Sequence, residues 1–155
     1  MRIHLIAVGK RMPAWVQAGY EEYAKRLPKE CALHLKEIPL RRRGKNGDTM
    51  RQIATEGDQM LTAIPPASHV VALDSRGKQW STEELGSRLQ RWLQLGSDLT
   101  LLIGGPEGLA PACLERADDC WSLSRLTFPH PLVRVIVAEQ LYRAWSLLQG
   151  HPYHR

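Results

Sequence analysis

Residues 99–108 read LTLLIGGPEG, a short and nearly continuous apolar run followed at once by a glycine-rich turn. A strand that is apolar on both sides predicts a parallel sheet with helices covering both of its faces. In open sheets of this kind, ligands bind beyond the carboxyl ends of the strands. Three glycines at such an end let the backbone approach a ligand closely, although a simple connecting turn is the alternative interpretation.

The rest of the chain alternates between strand and helix patterns. Apolar, β-rich runs predict further strands at Ile3–Val8, Leu33–Ile38, 69–74 and 121–126. Apolar residues at helical spacing predict helices from Pro13 onward and over 50–64, 85–93, 110–117 and 132–148. This alternation predicts one α/β domain over residues 1–155, with a mainly parallel sheet and helices on both faces.

Composition narrows the class of protein. The chain has 155 residues, of which 43% are hydrophobic and 24% charged, which is typical of a globular protein. It contains no apolar run of membrane-spanning length and no signal-peptide pattern at its start, so we expect a cytoplasmic protein that does not contact a membrane. Its three cysteines, Cys31, Cys113 and Cys120, have no metal-ligand spacing, which predicts reduced thiols and no metal site.

The charge of the chain favours an anionic partner. Lysine and arginine outnumber aspartate and glutamate by 21 to 16, a net charge of +5. Cations concentrate at Lys10-Arg11, at Lys25-Arg26 and at Arg41-Arg42-Arg43-Gly44-Lys45. Clustered cations favour nucleic acid because each phosphate contact releases counterions. A solvated surface loop is the alternative interpretation of the last of these runs.

Two features near the end of the chain carry candidate functional residues. His130 stands between two prolines before the last helix, where the helix dipole is expected to lower its pKa. Capping or packing is the alternative for a single histidine. The helix over 132–148 is apolar on several sides, which suggests cover by a second subunit. The tail 151–155, HPYHR, could stack on a base and hold phosphate, although termini are often disordered.

Several linked motifs make the chain similar to a known family. They are IGGPEG at 103–108, LS and PHPLVR within 123–134, EQLYRAW at 139–145 and HPYHR at 151–155, with AVGK at 7–10, Tyr20-x-x-Tyr23 and RGK at 43–45. Together they resemble the SPOUT superfamily of RNA methyltransferases, and within it the bacterial enzymes that methylate N3 of pseudouridine 1915 in 23S ribosomal RNA. The resemblance covers essentially the whole chain.

This resemblance implies properties that cannot be predicted from the pattern of apolar and polar residues. It implies a trefoil knot in the C-terminal part of the sheet, a feature that general fold rules would exclude. It implies a homodimer that acts on ribosomal RNA in the ribosome, with S-adenosylmethionine as methyl donor and no metal. The donor contacts carry over to Leu73, Gly104, Leu123, Ser124, Arg125, Leu126, Thr127 and Phe128. The tail of one subunit is expected to complete the active site of the other.

Methyl transfer to an imide nitrogen requires loss of its proton and stabilisation of the base as charge develops. The candidate catalytic residues are His130, Arg143, Tyr153, His154 and Arg155, whose roles the sequence does not rank. His130, Glu139 and His154 are the alternatives for accepting the proton. For each of these residues, packing or phosphate binding is an alternative role. A methyltransferase of transfer RNA and a non-enzymatic ribosome-binding protein are the rival functions.

Overall fold

The computed structural model describes residues 1–41 and 48–155. Its centre is a five-stranded sheet in which all paired strands are parallel. The strands are β1 (Ile3–Val8), β2 (Leu33–Ile38), β3 (His69–Gln79), β4 (Leu99–Ile103) and β5 (Asp119–Ser122), in the spatial order β2-β1-β4-β3-β5. The sequence prediction of a parallel sheet is therefore confirmed.

The described residues form five α-helices, of which the first four connect successive strands and the fifth follows the last strand. They are α1 (Ala14–Ala24), α2 (Asp48–Ala63), α3 (Thr82–Leu95), α4 (Pro111–Arg116) and α5 (His130–Leu148). Short 3-10 helices form at Lys29–Cys31 and Pro152–His154, so the end of the tail has regular structure. In the described part of the chain, no helix combines the length and apolar character needed to cross a membrane.

Alternating side chains of the strands divide the core into two layers. Ile3 and Leu5 of β1 pack on one face of the sheet, in a cluster shared with α1, α3 and α5. Ile6 and Val8 pack on the other face, in a cluster shared with α2 and α4. The two clusters confirm that helices cover both faces, as the continuously apolar strands predict.

Two strand boundaries differ from the sequence prediction. β3 continues past residue 74 to Gln79, with a register shift against β5 between Leu73 and Lys78. Gly77 permits this continuation, because a Cβ there would lie 2.5 Å from the Cys120 carbonyl oxygen. A glycine in a strand often marks such a close approach of two backbones.

The predicted strand over 121–126 is wrong at both ends. β5 starts at Asp119 and ends at Ser122. Beyond it, the Ser122 hydroxyl donates to the Ser124 carbonyl oxygen at 2.9 Å, and the Leu126 amide donates to the Ser124 hydroxyl at 3.0 Å. These local hydrogen bonds compete with strand pairing and turn the chain into a loop.

A buried ion pair fixes α5 against the first two strands. Arg134 is only 2% exposed, and its guanidinium donates to Glu37 at 2.8 Å and to the Gly9 carbonyl at 3.2 Å. The sequence indicated this arginine only as part of a motif. The pair holds the start of α5 beside the carboxyl ends of β1 and β2.

Most of the basic run lies outside the described residues, since the run comprises residues 41–45 and only Arg41 of it is described. Arg41 is exposed at the end of the segment after β2, and its backbone amide donates to the buried Glu56 carboxylate at 2.8 Å. Contact between this run and nucleic acid stays a prediction.

Candidate active site

A cavity of about 490 Å³ opens at the carboxyl ends of β3, β4 and β5. This is the edge of the sheet at which the sequence predicted a ligand site. The predicted residues that line the cavity are Leu73, Gly104, Leu123, Ser124, Leu126, Thr127, Phe128 and His130. Arg125 is exposed and does not belong to the lining. The fold thus brings together three segments that are far apart in sequence.

The glycine-rich segment after β4 forms a tight turn. The Gly108 amide donates to the Gly105 carbonyl at 2.9 Å, and Gly108 has a positive φ of 88°. Proline at the second position and glycine at the fourth suit a type I turn. A Cβ at Gly104 would lie 2.4 Å from the Gly108 carbonyl carbon. Gly104 is therefore required by the packing of backbone against backbone.

An acidic residue that the sequence analysis missed also lines the cavity. Asp74 follows the apolar half of β3, and Arg76 holds its carboxylate through two side-chain nitrogens, each at 3.1 Å. The hydrogen bonds from Arg76 lower the pKa of Asp74, although partial burial opposes them. The signal available in the sequence was its place, because Asp74 is the last residue of a predicted strand.

His130 begins α5 at the rim of this cavity. Its Nδ1 atom is buried and has no hydrogen-bond partner among the described residues. The pKa of His130 is lowered, as the sequence predicted, but the main cause is burial, followed by the positive charge of Arg134.

The lowered pKa of His130 predicts a stability contribution that depends on pH. As the pH falls through the ordinary histidine value of about 6.5, the unfolded chain binds a proton that the folded chain does not. The free energy of unfolding therefore decreases with acidification until the pH reaches the lower pKa of the folded state. We expect a nuclear magnetic resonance titration to give His130 a midpoint below 6.5, with His130→Asn identifying its signal. A midpoint at or above 6.5 would contradict the assignment of a neutral ring.

The C-terminal candidates form a second cluster on α5 and the tail. Glu139 accepts hydrogen bonds from Arg143 at 2.7 Å and from the Tyr153 hydroxyl at 2.7 Å, both at Oε2, while Gln140 donates to Oε1 at 2.6 Å. The Tyr153 ring meets Tyr142 edge to face at 4.6 Å between centroids. Tail and helix are therefore joined by a polar and an aromatic contact.

These contacts restrict what each side chain can do. Burial, together with the hydrogen bond to Glu139, raises the pKa of Tyr153 to about 12, so its hydroxyl is a donor near neutral pH. The bond to Glu139 likewise raises the pKa of Arg143. Both oxygens of Glu139 accept hydrogen bonds, so this carboxylate fixes the positions of Arg143, Tyr153 and Gln140.

The last two candidates lie at the end of the same segment. His154 directs Nδ1 to the His151 carbonyl oxygen, and Arg155 is exposed. The cavity and this cluster occupy different parts of α5, because Val133 lines the cavity and Arg143 belongs to the cluster. Ten residues of α-helix, at about 1.5 Å each, separate the two by roughly 15 Å. Within one chain, the fold does not bring them together.

Comparison with known proteins gives the family. A family model described as "Predicted SPOUT methyltransferase" matches residues 1–154. The chain is similar to the ribosomal RNA large subunit methyltransferase H of Thioalkalivibrio sulfidiphilus, at 68% identity over 155 residues, with 100% of this chain and 99% of the relative covered. The same-named protein of Methylococcus capsulatus is 61% identical, and both chains are covered completely.

Solved structures support the fold. A protein of Bordetella pertussis, named a probable methyltransferase, superposes with a TM-score of 0.57 at 14% identity, covering 92% of this chain and 95% of its own. A methyltransferase of Legionella pneumophila, described in complex with the cofactor SAM, gives a TM-score of 0.52 at 9% identity, covering 94% of this chain and 66% of its own. At such identities these likenesses concern the fold alone. Because the family model and the curated relatives span essentially its whole length, this chain belongs to the SPOUT methyltransferase family.

Proposed function

We propose that this protein transfers a methyl group from S-adenosylmethionine to N3 of pseudouridine 1915 in 23S ribosomal RNA. The observation that supports this most directly is the cavity at three strand ends, which is built around the Gly104 turn in a chain whose curated relatives are named for methylation of large-subunit RNA. It acts as a single domain over residues 1–155, in the cytoplasm and on the assembled ribosome.

The cavity fits a nucleoside-sized cofactor. Its volume of about 490 Å³ lies within the range of small-molecule sites, which is roughly 300–1,000 Å³. Leu73, Gly104 and residues 123–128 would hold the donor, chiefly through backbone, and the Legionella protein of similar fold binds the same cofactor. When bound, S-adenosylmethionine supplies a methyl group that its positive sulfur already activates. Arg125, which is exposed, would contact the donor only by turning inward.

For transfer, residues of the chain must accept one proton and stabilise the negative charge that develops on the base. Transfer would form a carbon–nitrogen bond as the sulfur–methyl bond of the donor breaks to leave a neutral thioether, and the acceptor nitrogen would lose its proton. His130 can receive that proton, since this residue lines the cavity. Glu139 and His154 are the alternative acceptors. Arg143 and Arg155 stabilise negative charge on the base, and Tyr153 contacts the base by stacking or through its hydroxyl.

A homodimer would bring the cavity and the Arg143–Tyr153 cluster together. In one chain, roughly 15 Å of helix lies between the cavity and the Arg143–Tyr153 cluster, so the tail that serves a cavity is proposed to come from the partner subunit. The trefoil knot of the family is part of the same proposal. Tight backbone packing around Gly77 and Gly104 is compatible with a threaded segment in this region.

Recognition of the ribosome follows from the size of the protein. A chain of 155 residues offers little surface with which to identify one base in a long RNA. We infer that the folded ribosome presents the base, while exposed cations such as Lys10 and Arg11 contact phosphates. The net charge of +5 favours such contacts.

Mass spectrometry of ribosomal RNA tests this function. A strain lacking the gene should lose the methyl group on pseudouridine 1915 and regain it when the gene is restored. In vitro, radiolabelled methyl transfer should occur with assembled ribosomes and not with transfer RNA. Persistence of the methylated base in the deletion strain would defeat the assignment. Transfer to transfer RNA alone would favour the rival substrate, and absence of donor binding would favour a non-enzymatic protein.

A further inference from the structure

We propose that Arg26, just beyond α1, is a positioning residue that holds the C-terminal segment 151–155 in place for methyl transfer. Neither the sequence motifs nor the candidate catalytic residues include it. The role in transfer rests on the proposed function, whereas the holding contact can be tested by itself. The inference depends on where the Arg26 guanidinium lies.

Arg26 lies among three tyrosine rings that come from three different segments. Its guanidinium carbon is 5.3 Å from the ring centroid of Tyr23, 5.5 Å from that of Tyr142 and 5.8 Å from that of Tyr153. Tyr23 belongs to α1, Tyr142 to α5 and Tyr153 to the tail. A cation within about 6 Å of an aromatic face is attracted by the ring quadrupole. One side chain thus connects all three segments.

The guanidinium is itself fixed in position. It donates to the Glu22 carboxylate at 2.6 Å, one helical turn earlier, and this hydrogen bond raises the pKa of Arg26. The Arg26 backbone amide donates to the Tyr23 carbonyl at 3.1 Å. Because both the side chain and the backbone of Arg26 are hydrogen-bonded, its guanidinium plane has a defined position. Less conformational freedom is therefore lost when the tail docks.

Arg26 adds to the contacts that hold the tail on α5. The His151 amide donates to the Ser146 carbonyl at 2.8 Å, and the Tyr153 hydroxyl donates to Glu139. The Tyr153 ring also has the Arg143 guanidinium carbon 5.0 Å from its centroid. Arg26 and Arg143 therefore both contact the Tyr153 ring of the tail. Of the two, Arg26 is the one that reaches it from the segment just beyond α1.

Hydrogen–deuterium exchange of the full-length protein tests the holding contact. Arg26→Gln removes the cation, and we expect exchange at the His151 and Arg155 amides to rise about fivefold, the change implied by one exposed cation–π contact. Arg26→Lys keeps a cation over the rings and should restore most of the protection. Lys25→Gln is the matched control, because Lys25 also pairs with Glu22, at 3.0 Å, yet its side chain is 68% exposed. Unchanged tail exchange in Arg26→Gln would overturn the proposal.

Kinetics with ribosomes test the role in transfer. For Arg26→Gln we expect kcat to fall about fivefold, with affinity for S-adenosylmethionine unchanged, whereas Lys25→Gln should keep the kcat of the original protein. Faster tail exchange with unchanged kcat would overturn the positioning role. If the original protein transfers no methyl group to ribosomes, the proposed function fails, and the exchange experiment still decides whether Arg26 holds the tail.

Discussion

Gly104→Ala is expected to lower the affinity for S-adenosylmethionine by about 100-fold or more, since a displacement of roughly 1 Å at a site can have effects of that size. The added methyl carbon would lie 2.4 Å from the Gly108 carbonyl carbon and 2.7 Å from the Leu109 amide nitrogen. Both atoms belong to backbone, so no side chain can rotate out of the way. The turn over 105–108 must therefore move, and it forms one wall of the cavity.

Gly108→Ala is the control that separates the effect of this collision from the effect of backbone strain. Gly108 lies in the same turn with a positive φ of 88°, but a Cβ there meets nothing within 4 Å. We expect it to reduce the stability of the fold by about 1 kcal/mol, the usual penalty for a left-handed residue, and to affect donor affinity far less. Isothermal titration calorimetry measures the affinities, and thermal unfolding measures the stabilities. Equal donor affinity in Gly104→Ala and the original protein would show that the turn does not shape the donor site.

Sequence reasoning predicted the layers of this fold because burial on one or both faces gives a recognisable pattern of apolar residues. Leu99–Ile103 is apolar on both sides, and the structure buries it completely between two helical layers. The start of α3 is fixed just as locally, since the Ser81 hydroxyl accepts from the Glu84 amide at 3.1 Å. The order of the strands was beyond such reasoning, since β1 pairs with β2 and with β4, which lies far along the chain beyond β3.

The pattern of the sequence could predict the site only at strand ends, whereas the donor contacts over 123–128 came from the family resemblance. Leu73 and Gly104 line one cavity because the strands to which they belong or which they follow are neighbours in the sheet. The loop after β5 was missed because the pattern at 121–126 is β-rich and the hydroxyl bonds of Ser122 and Ser124 that turn it leave no periodic signal. The docking of Tyr153 on α5 could not be predicted either, because it depends on how the chain folds back after that helix.

Removal of residues 151–155 should abolish methyl transfer while leaving donor binding intact. The cavity is lined by residues from 73–76, 103–108, 121–128 and the start of α5, and none of them lies in the tail. Tyr153, His154 and Arg155 supply the aromatic and charged groups proposed to contact the base. Loss of two or three such groups from one site should lower the rate of transfer by about 1,000-fold or more. Calorimetry with S-adenosylmethionine and radiolabelled transfer to ribosomes measure the two properties separately.

Tyr153→Phe is the milder companion of this deletion. It removes the hydrogen bond to Glu139 but keeps the ring against Tyr142 and beneath Arg143. Loss of one hydrogen bond to a charged group is worth about 1.5 kcal/mol or more, so we expect the rate of transfer to fall by about tenfold.

If the deletion instead eliminates donor binding, the tail supports the cavity structurally. If it leaves transfer intact, the chemistry lies entirely among the cavity residues, and His130 becomes the first side chain to substitute.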